Sequence, residues 1–429
     1  MTEPNSKLAE RITVEGGHRL KGAITISGAK NAALPCVASA LLTAEPVTLH
    51  NIPEIADIET MFDVLEFLGA RAERTGPNTV TIHAQSINRF SPPTELVIKN
   101  RANFLIMGAL LARFGQAACS PPGGDVIGQR PVDVHLAGFR ALGAEIGREG
   151  EKFTAKASKL TGARIFLDYP SWLGTENLMM AAALAEGHTT LVNAACEPEV
   201  ECHAALLNLM GARISGAGSP VIEIDGVKEL SGAEFTIIPD RFEAGTFAVA
   251  AAITSGDVTI QQAAPRHMDA VVAKLREIGV EVDEMEGGLH VRADGDLQAS
   301  NLQAFPYPGM ATDMQPPLAA LLTQANGVSY IHERVFDNRM LYVAELRTLG
   351  AEIITTGGTT AIITGPTPLI GSQVRALDIR AGAAVVLAAL TAAGRTEVRD
   401  IYHLDRGYER FEEKLKSLGA VIEREIVVS

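Results

Sequence analysis

Aromatic side chains are scarce in this chain: they make up 5% of 429 residues, with one tryptophan, Trp172. Any core must therefore be filled by Ala, Leu and Val rather than by rings, and 47% hydrophobic content is enough for that. Long apolar runs are missing too. None reaches the roughly 18–20 residues of a membrane helix, and the nearest, 381–394, is broken by Gly382 and Thr391 and suits a buried core helix. The opening MTEPNSKLAER lacks a basic start followed by an apolar leader, so the cytoplasm is the expected compartment. Excess positive charge is absent: 37 Lys and Arg against 51 Asp and Glu give −14, which disfavours a nucleic-acid partner. A few arginines focused in a cleft can still hold a small anion at this net charge. The four cysteines, Cys36, Cys119, Cys196 and Cys202, show neither CxxC pairing nor metal-ligand spacing and read as inert thiols.

What is present is a repeat. Leu-Gly-Ala or a close variant recurs six times, on Gly69, Gly143, Gly211, Gly279, Gly350 and Gly419, at intervals of 74, 68, 68, 71 and 69 residues. A second register runs through Leu20, Phe90, Leu160, Leu230, Leu302 and Leu369, weaker at Phe90 and Leu302. A fixed period marks assembly from copies of one unit, and a length this far beyond common solenoid repeats predicts a small sub-domain per copy.

The first copy parses as a strand (23–27), a turn at Gly28–Asn31, an Ala/Leu helix (32–42) and a strand (47–51). A second helix, from about Asp57 to Leu68, stops at Gly69, and a hairpin follows near 70–74 and 79–83. That order is βαβαββ. The first helix of each copy is apolar on most faces, as in NLMMAAALAEG and AGAAVVLAALTAAG, and must be buried all round. The second is amphipathic, as in DAVVAKLREIG. An acid sits ten residues before the glycine in five copies (Glu59, Asp133, Glu201, Asp269 and Glu409), read as the dipole-favourable first turn.

The last copy has one strand after Gly419, and a lone strand, 11–15, precedes the first copy; the two ends are expected to pair. The fold class that follows is α/β with three copies in each of two domains. One domain spans 28–238 with a reactive loop around 120–130, and the other comprises 1–27 with 239–429. The first turns of the buried helices carry Lys30, Arg101, Thr175, Arg241, Asp313 and Arg380. Helix N-termini bind anions. The bland alternative is that these residues only cap buried helices, although four basic residues at a positive dipole end call for a reason.

Seven segments are diagnostic: SGAKNAALP (27–35), PGGDVIGQRPVD (122–133), IPDRFEAGT (238–246), TDMQ (312–315), VFDNR (335–339), DIRAG (378–382) and IYHLDRGYER (401–410). In order and spacing they resemble the UDP-N-acetylglucosamine enolpyruvyl transferase family, from about residue 10 to the end. The resemblance implies a two-domain inside-out α/β barrel built from six βαβαββ repeats, with the active site in the interdomain cleft. It implies transfer of enolpyruvyl from phosphoenolpyruvate to the 3-hydroxyl of UDP-N-acetylglucosamine, the first committed step of peptidoglycan synthesis, with no cofactor and no metal. Lys30, Asn31, Arg130, Arg380 and Arg406 then match phosphoenolpyruvate partners, whose fork geometry suits phosphate and carboxylate. Arg101, the stretch Arg130, Pro131, Val132, Asp133 and Val134, then Ser171 and Val335 match UDP-sugar contacts. Asp313 matches the acid that takes the hydroxyl proton; its bland reading is an N-cap.

Two departures stand out. Many members read Pro-Gly-Gly-Cys where this chain reads Pro122-Gly123-Gly124-Asp125. An aspartic acid can deliver a proton to C3 of phosphoenolpyruvate but forms no thioether, so insensitivity to fosfomycin is expected. Asp125 must be partly protonated to act, against an ordinary pKa of ~4; the bland reading is a turn residue. In the nucleotide loop, Ser171-Trp172-Leu173-Gly174-Thr175-Glu176-Asn177 stands where the family has Ser-Val-Gly-Ala-Thr-Glu-Asn. Trp172 either covers the base or packs at the loop. The rival functions are enolpyruvyl transfer to a different nucleotide or phosphorylated acceptor, and a silent UDP-sugar sensor. Presence of Lys30, Arg130, Asp313 and Arg406 disfavours the sensor.

Overall fold

A computed structural model describes residues 8–428. Two compact units emerge: one is Gly28–Gly124 with Arg130–Ile238, the other 8–27 with Asp125–Gln129 and 239–428. They are called the first and second unit below. The division differs from the expected one at the reactive loop. Asp125–Gln129 falls with the second unit because its partners lie there: Gln129 N donates to Asp337 Oδ1 (3.1 Å) and Asn338 N to Ile127 O (3.1 Å).

Among the described residues the first unit holds three sheets and the second another three. Each four-stranded sheet has one pattern. In the sheet of the first copy, Val47–His50 runs antiparallel to Thr79–His83, which pairs antiparallel with Arg71–Gly76. On its other side Val47–His50 lies parallel to Ala233–Thr236, which follows the third copy's Gly211. The copies are thus linked by one parallel strand each. The exception is the three-stranded sheet Gln116–Cys119, Lys152–Lys156 and Glu145–Glu149. Its missing strand is where Phe90 precedes Ser91-Pro92-Pro93, and two prolines remove the donors a strand requires. One bond survives there, from Ala118 N to Phe90 O.

In the second unit, Leu8–Glu15 lies between Arg395–Arg399 and Val421–Val428, antiparallel to both, with Leu8 opposite Val428 and Glu15 opposite Val421. The chain's described ends therefore share one sheet.

The Ala-rich helices form the cores. Every residue of Arg241–Ile253 and of Ile379–Ala389 is buried. Their small side chains permit close approach: an added Cβ at Gly138 would meet Leu178 Cδ2 at 2.3 Å, and one at Gly108 would meet Asn177 O at 2.3 Å. Asn177 joins three elements there. Its Oδ1 accepts from Gly108 N (2.7 Å) while Nδ2 donates to Phe104 O (3.1 Å) and contacts His135 Nδ1 (2.9 Å). No helix among the described residues is long and apolar enough to cross a membrane.

Burial, with the Arg101 charge adding to it, pushes His135 down to about 3; burial alone does the same to His203, whose Nε2 meets Ser39 Oγ at 2.7 Å. An ordinary histidine titrates near 6.5. Between these values the unfolded chain binds protons that the folded one refuses, so stability falls as pH drops from about 6.5 toward 3. Urea unfolding across that window should show His203→Gln losing stability less steeply than the parent, by up to about 1.4 kcal/mol per pH unit.

Candidate active site

In the first unit, Lys30 opens the buried helix Lys30–Ser39, and no side chain caps its N-terminus. Its ammonium pairs with Asp57 at 2.6 Å, with side chains 10% and 2% exposed. Asp57 lies in the first turn of Ala56–Leu68, so one carboxylate serves both a helix start and a buried cation. Asn31, beside Lys30, is half-buried.

Arg101 begins the 3₁₀ turn Arg101–Leu105, capped by Asn100, and its Nη2 donates to Pro131 O at 2.8 Å. That bond joins Arg101 to the expected nucleotide-sugar stretch. Along the stretch Val132 and Val134 are buried, while Pro131 and Asp133 are exposed. Burial first, then the nearby Arg130 charge, lowers Arg101 to about 10. Two guanidiniums in each other's field, one desolvated, favour an anion between them. Tyr169 donates to Asp133 Oδ1 (3.1 Å), and Ser171 Oγ caps the helix Trp172–Ala183 by accepting from Gly174 N (3.1 Å). Trp172 is the first residue of that helix and its Nε1 donates to Glu176 Oε1 (3.2 Å), with the ring packed on the core. The shifted Gly174 is required where it stands, since a Cβ there would sit 2.7 Å from Ser171 Oγ.

In the second unit, Asp313 is not the N-cap of the helix that follows. It lies inside the 3₁₀ turn Thr312–Met314, and its oxygens are taken by two guanidiniums: Oδ1 by Arg339 Nη2 (3.2 Å) and Oδ2 by Arg380 Nε (3.0 Å). Arg339 and Arg380 are almost fully buried. Arg380 lies over the rings of Phe242 and Tyr408, each at 5.1 Å, and Tyr408 OH meets Thr246 Oγ1 at 2.9 Å. Arg339 Nε and Arg380 Nη1 are buried donors with no hydrogen-bond partner, which leaves capacity for an acceptor beside Asp313. Asp378, the actual N-cap of Ile379–Ala389, accepts from Arg380 N (2.8 Å) and fixes where that arginine starts. Asp125 forms an ion pair with Arg406, and both are largely buried. Val335 is exposed.

The structure thus joins Asp125 to Arg406, Asp313 to Arg380 and Arg101 to Pro131. Sequence reasoning passed over Asp57, Arg339 and Asp378 as members of these sets. Asp57 looked like a helix start, and Arg339 and Asp378 lay unused inside VFDNR and DIRAG. Glu409, read as a first-turn acid, precedes the helix Phe411–Ser417 instead and accepts from Ser27 Oγ. Its neighbour Lys414 donates to Ser27 Oγ (2.7 Å) and pairs with Glu243, which burial raises to about 7 although Lys414 opposes the shift. Among the described residues no group of three or more His, Cys, Asp or Glu could hold a metal ion.

Residues 14–415 match the family described as EPSP synthase (3-phosphoshikimate 1-carboxyvinyltransferase). The chain is 49% identical over 415 residues to UDP-N-acetylglucosamine 1-carboxyvinyltransferase 1 of Caldanaerobacter subterraneus subsp. tengcongensis, covering 96% of this chain and 99% of that one. It is 50% identical over 417 residues to UDP-N-acetylglucosamine 1-carboxyvinyltransferase 2 of Carboxydothermus hydrogenoformans, covering 97% and 99%. Of solved structures, the enolpyruvyl transferase NikO from Streptomyces tendae superposes with a TM-score of 0.88 at 27% identity, over 98% of this chain and 100% of that one. EPSP synthase from Acinetobacter baumannii, at 19% identity, TM-score 0.73 and coverage of 97% and 100%, shares the fold.

The buried Lys30–Asp57 pair makes a direct prediction. Lys30→Met removes the ammonium paired with a buried carboxylate and should cost about 3–5 kcal/mol in urea unfolding. Adding Asp57→Leu should restore part of that loss; strict additivity of the two changes would show that the pair is not coupled.

Proposed function

Since the chain belongs to the UDP-N-acetylglucosamine 1-carboxyvinyltransferase branch of the EPSP synthase family, we propose that it transfers the enolpyruvyl group of phosphoenolpyruvate to the 3-hydroxyl of UDP-N-acetylglucosamine, releasing phosphate. The carrying observation is a near end-to-end match at about half identity to two enzymes of that name. The reaction is the committed entry to peptidoglycan synthesis, and its nucleotide substrate places the enzyme in the cytoplasm. The finer architecture proposed is six βαβαββ repeats, three per domain, in the inside-out α/β barrel arrangement.

The first unit offers Lys30, Asn31 and Arg130 to phosphoenolpyruvate, and Arg101, Arg130–Val134 and Ser171 to the nucleotide sugar. The second unit offers Arg380 and Arg406 to phosphoenolpyruvate, and Asp313 and Val335 to the acceptor. Asp313 takes the proton of the 3-hydroxyl as the oxygen bonds to C2, and Asp125 supplies a proton to C3. In the second half C3 gives a proton up again and the C2–phosphate bond breaks. The double bond is restored, and phosphate leaves with its electron pair. Arg339 and Arg380 hold Asp313 by both oxygens, which fixes its direction before substrate arrives.

Asp125 raises a sharper question, because a carboxylate paired with Arg406 is no proton donor. Phosphoenolpyruvate competes for that guanidinium. Once Arg406 turns to the ligand, Asp125 gives up that ion pair and faces an anion, and both changes favour its protonated form.

Phosphate release from phosphoenolpyruvate with UDP-N-acetylglucosamine tests the reading, and silence at saturating substrates overturns it. Fosfomycin, an epoxide that alkylates thiols, should leave the protein active. Asp125→Cys should acquire time-dependent inactivation, whereas Asp125→Asn, with no acidic proton, should lose at least about 10²-fold in kcat. The rate of the unaltered protein should fall as pH rises through the bound-state titration of Asp125. Label on Asp125 or Cys119 after fosfomycin treatment, or full activity of the Asn variant, would contradict this role.

A further inference from the structure

Asp313 and Val335 lie 22 positions apart on different segments, yet one buried side chain ties their segments together. Glu333, 2% exposed, follows the strand Gly327–His332. One of its oxygens, Oε2, accepts from Thr312 Oγ1 at 2.8 Å. The other, Oε1, accepts from the backbone N–H of Val335 at 2.6 Å and of Phe336 at 3.1 Å. Its own N–H donates to Thr359 O at 2.8 Å, which anchors the carboxylate to the neighbouring hairpin. Thr312 directly precedes Asp313 in their shared 3₁₀ turn. Three donors on one carboxylate, using both oxygens, set the turn that aims Asp313 against the loop that presents Val335.

We infer that Glu333 is a positioning residue for the acceptor: it holds Asp313 and Val335 in one fixed spacing, so that the sugar hydroxyl meets its base when the acceptor is seated. The inference rests on the acceptor roles proposed above for those two residues. Glu333 itself touches no reacting atom. Its effect should therefore fall first on the acceptor: the braced segments carry Asp313 and Val335, whereas Arg406 is held by Asp125, and Arg380, although paired with Asp313, is also seated on the rings of Phe242 and Tyr408.

Thr312 gives the cleanest lever. Thr312→Val keeps the shape and removes the donor, while Thr312→Ser keeps the donor and removes a methyl group. With each substrate varied in turn, Thr312→Val should lower kcat/KM for UDP-N-acetylglucosamine about 10- to 100-fold, since misplacement on the ångström scale is that costly. The KM for phosphoenolpyruvate should stay within about twofold, and Thr312→Ser should recover acceptor kcat/KM to within about threefold. Glu333→Gln should retain most activity, because its amide oxygen still accepts from both N–H groups and its NH₂ can donate to the threonine hydroxyl. Equal losses in the Val and Ser variants, or equal losses for both substrates, would overturn the assignment. Hydrogen exchange separates this failure from failure of the proposed reaction. In Glu333→Ala without ligand, the amides of Val335 and Phe336 should exchange at least about tenfold faster than in the parent. Unchanged protection there removes the brace whatever the protein catalyses, and phosphate release by the unaltered protein is scored independently.

Discussion

A helix buried on every side has nowhere to place polar chemistry except at its ends. That constraint governs this molecule. Arg241–Ile253 and Ile379–Ala389 are sealed along their whole length, so charge enters the cores at first turns, through Lys30, Arg101, Arg241, Asp313 and Arg380. Cations at a positive dipole end are held against the local field, and the protein compensates with carboxylates brought from elsewhere. Asp57 meets Lys30, and Asp313 meets Arg380. Each pairing is a long-range contact, and each stations an ionised group near backbone N–H groups already suited to anions.

The same constraint decides what could be read from sequence. Periodicity needs only local information, and the strands, the sealed helices and the glycine stops in 30–83 lie within a few residues of where their pattern places them. Lys30, Asp125, Asp313 and Arg406 were identifiable because they sit in motifs. Their partners were not, since nothing local distinguishes Asp57 from an ordinary helix start or Glu333 from a strand-end acid. A carboxylate is recognised as buried only once the segments around it are in place. Glu409 erred in the opposite direction: its spacing matched a helix start, but the left-handed backbone at Arg410 (φ 49°) delays the helix and leaves the acid facing Ser27.

The segment Asp125–Gln129 shows how few residues can fall with a different unit from the chain on either side. Gly124, directly before the residues that fall with the second unit, and Gly128, within them, both have positive φ, 99° and 129°. A Cβ on Gly128 would lie 1.9 Å from Asp337 Oδ1, so glycine is what permits that carboxylate to reach Gln129 N. Asp125 is thereby delivered to Arg406 by backbone geometry as much as by charge. A carboxylate at this point, where a thiol would pair only weakly, gives the segment an electrostatic anchor on Arg406.

The strand Leu8–Glu15 sits between two strands from the far end of the chain, and this has a consequence for how the protein is made. Synthesis delivers that strand roughly 400 residues before its neighbour Val421–Val428. Everything in Gly28–Ile238 apart from Asp125–Gln129 can settle into the first unit while translation continues. The second unit must wait. Leu8–Glu15 has unfilled hydrogen-bonding edges until Arg395–Arg399 and Val421–Val428 have been made, so its sheet closes only after the segments between them have been synthesised. A chain that stops before Val421–Val428 would leave Leu8–Glu15 with an exposed edge, the kind of surface on which unfinished chains pair with one another.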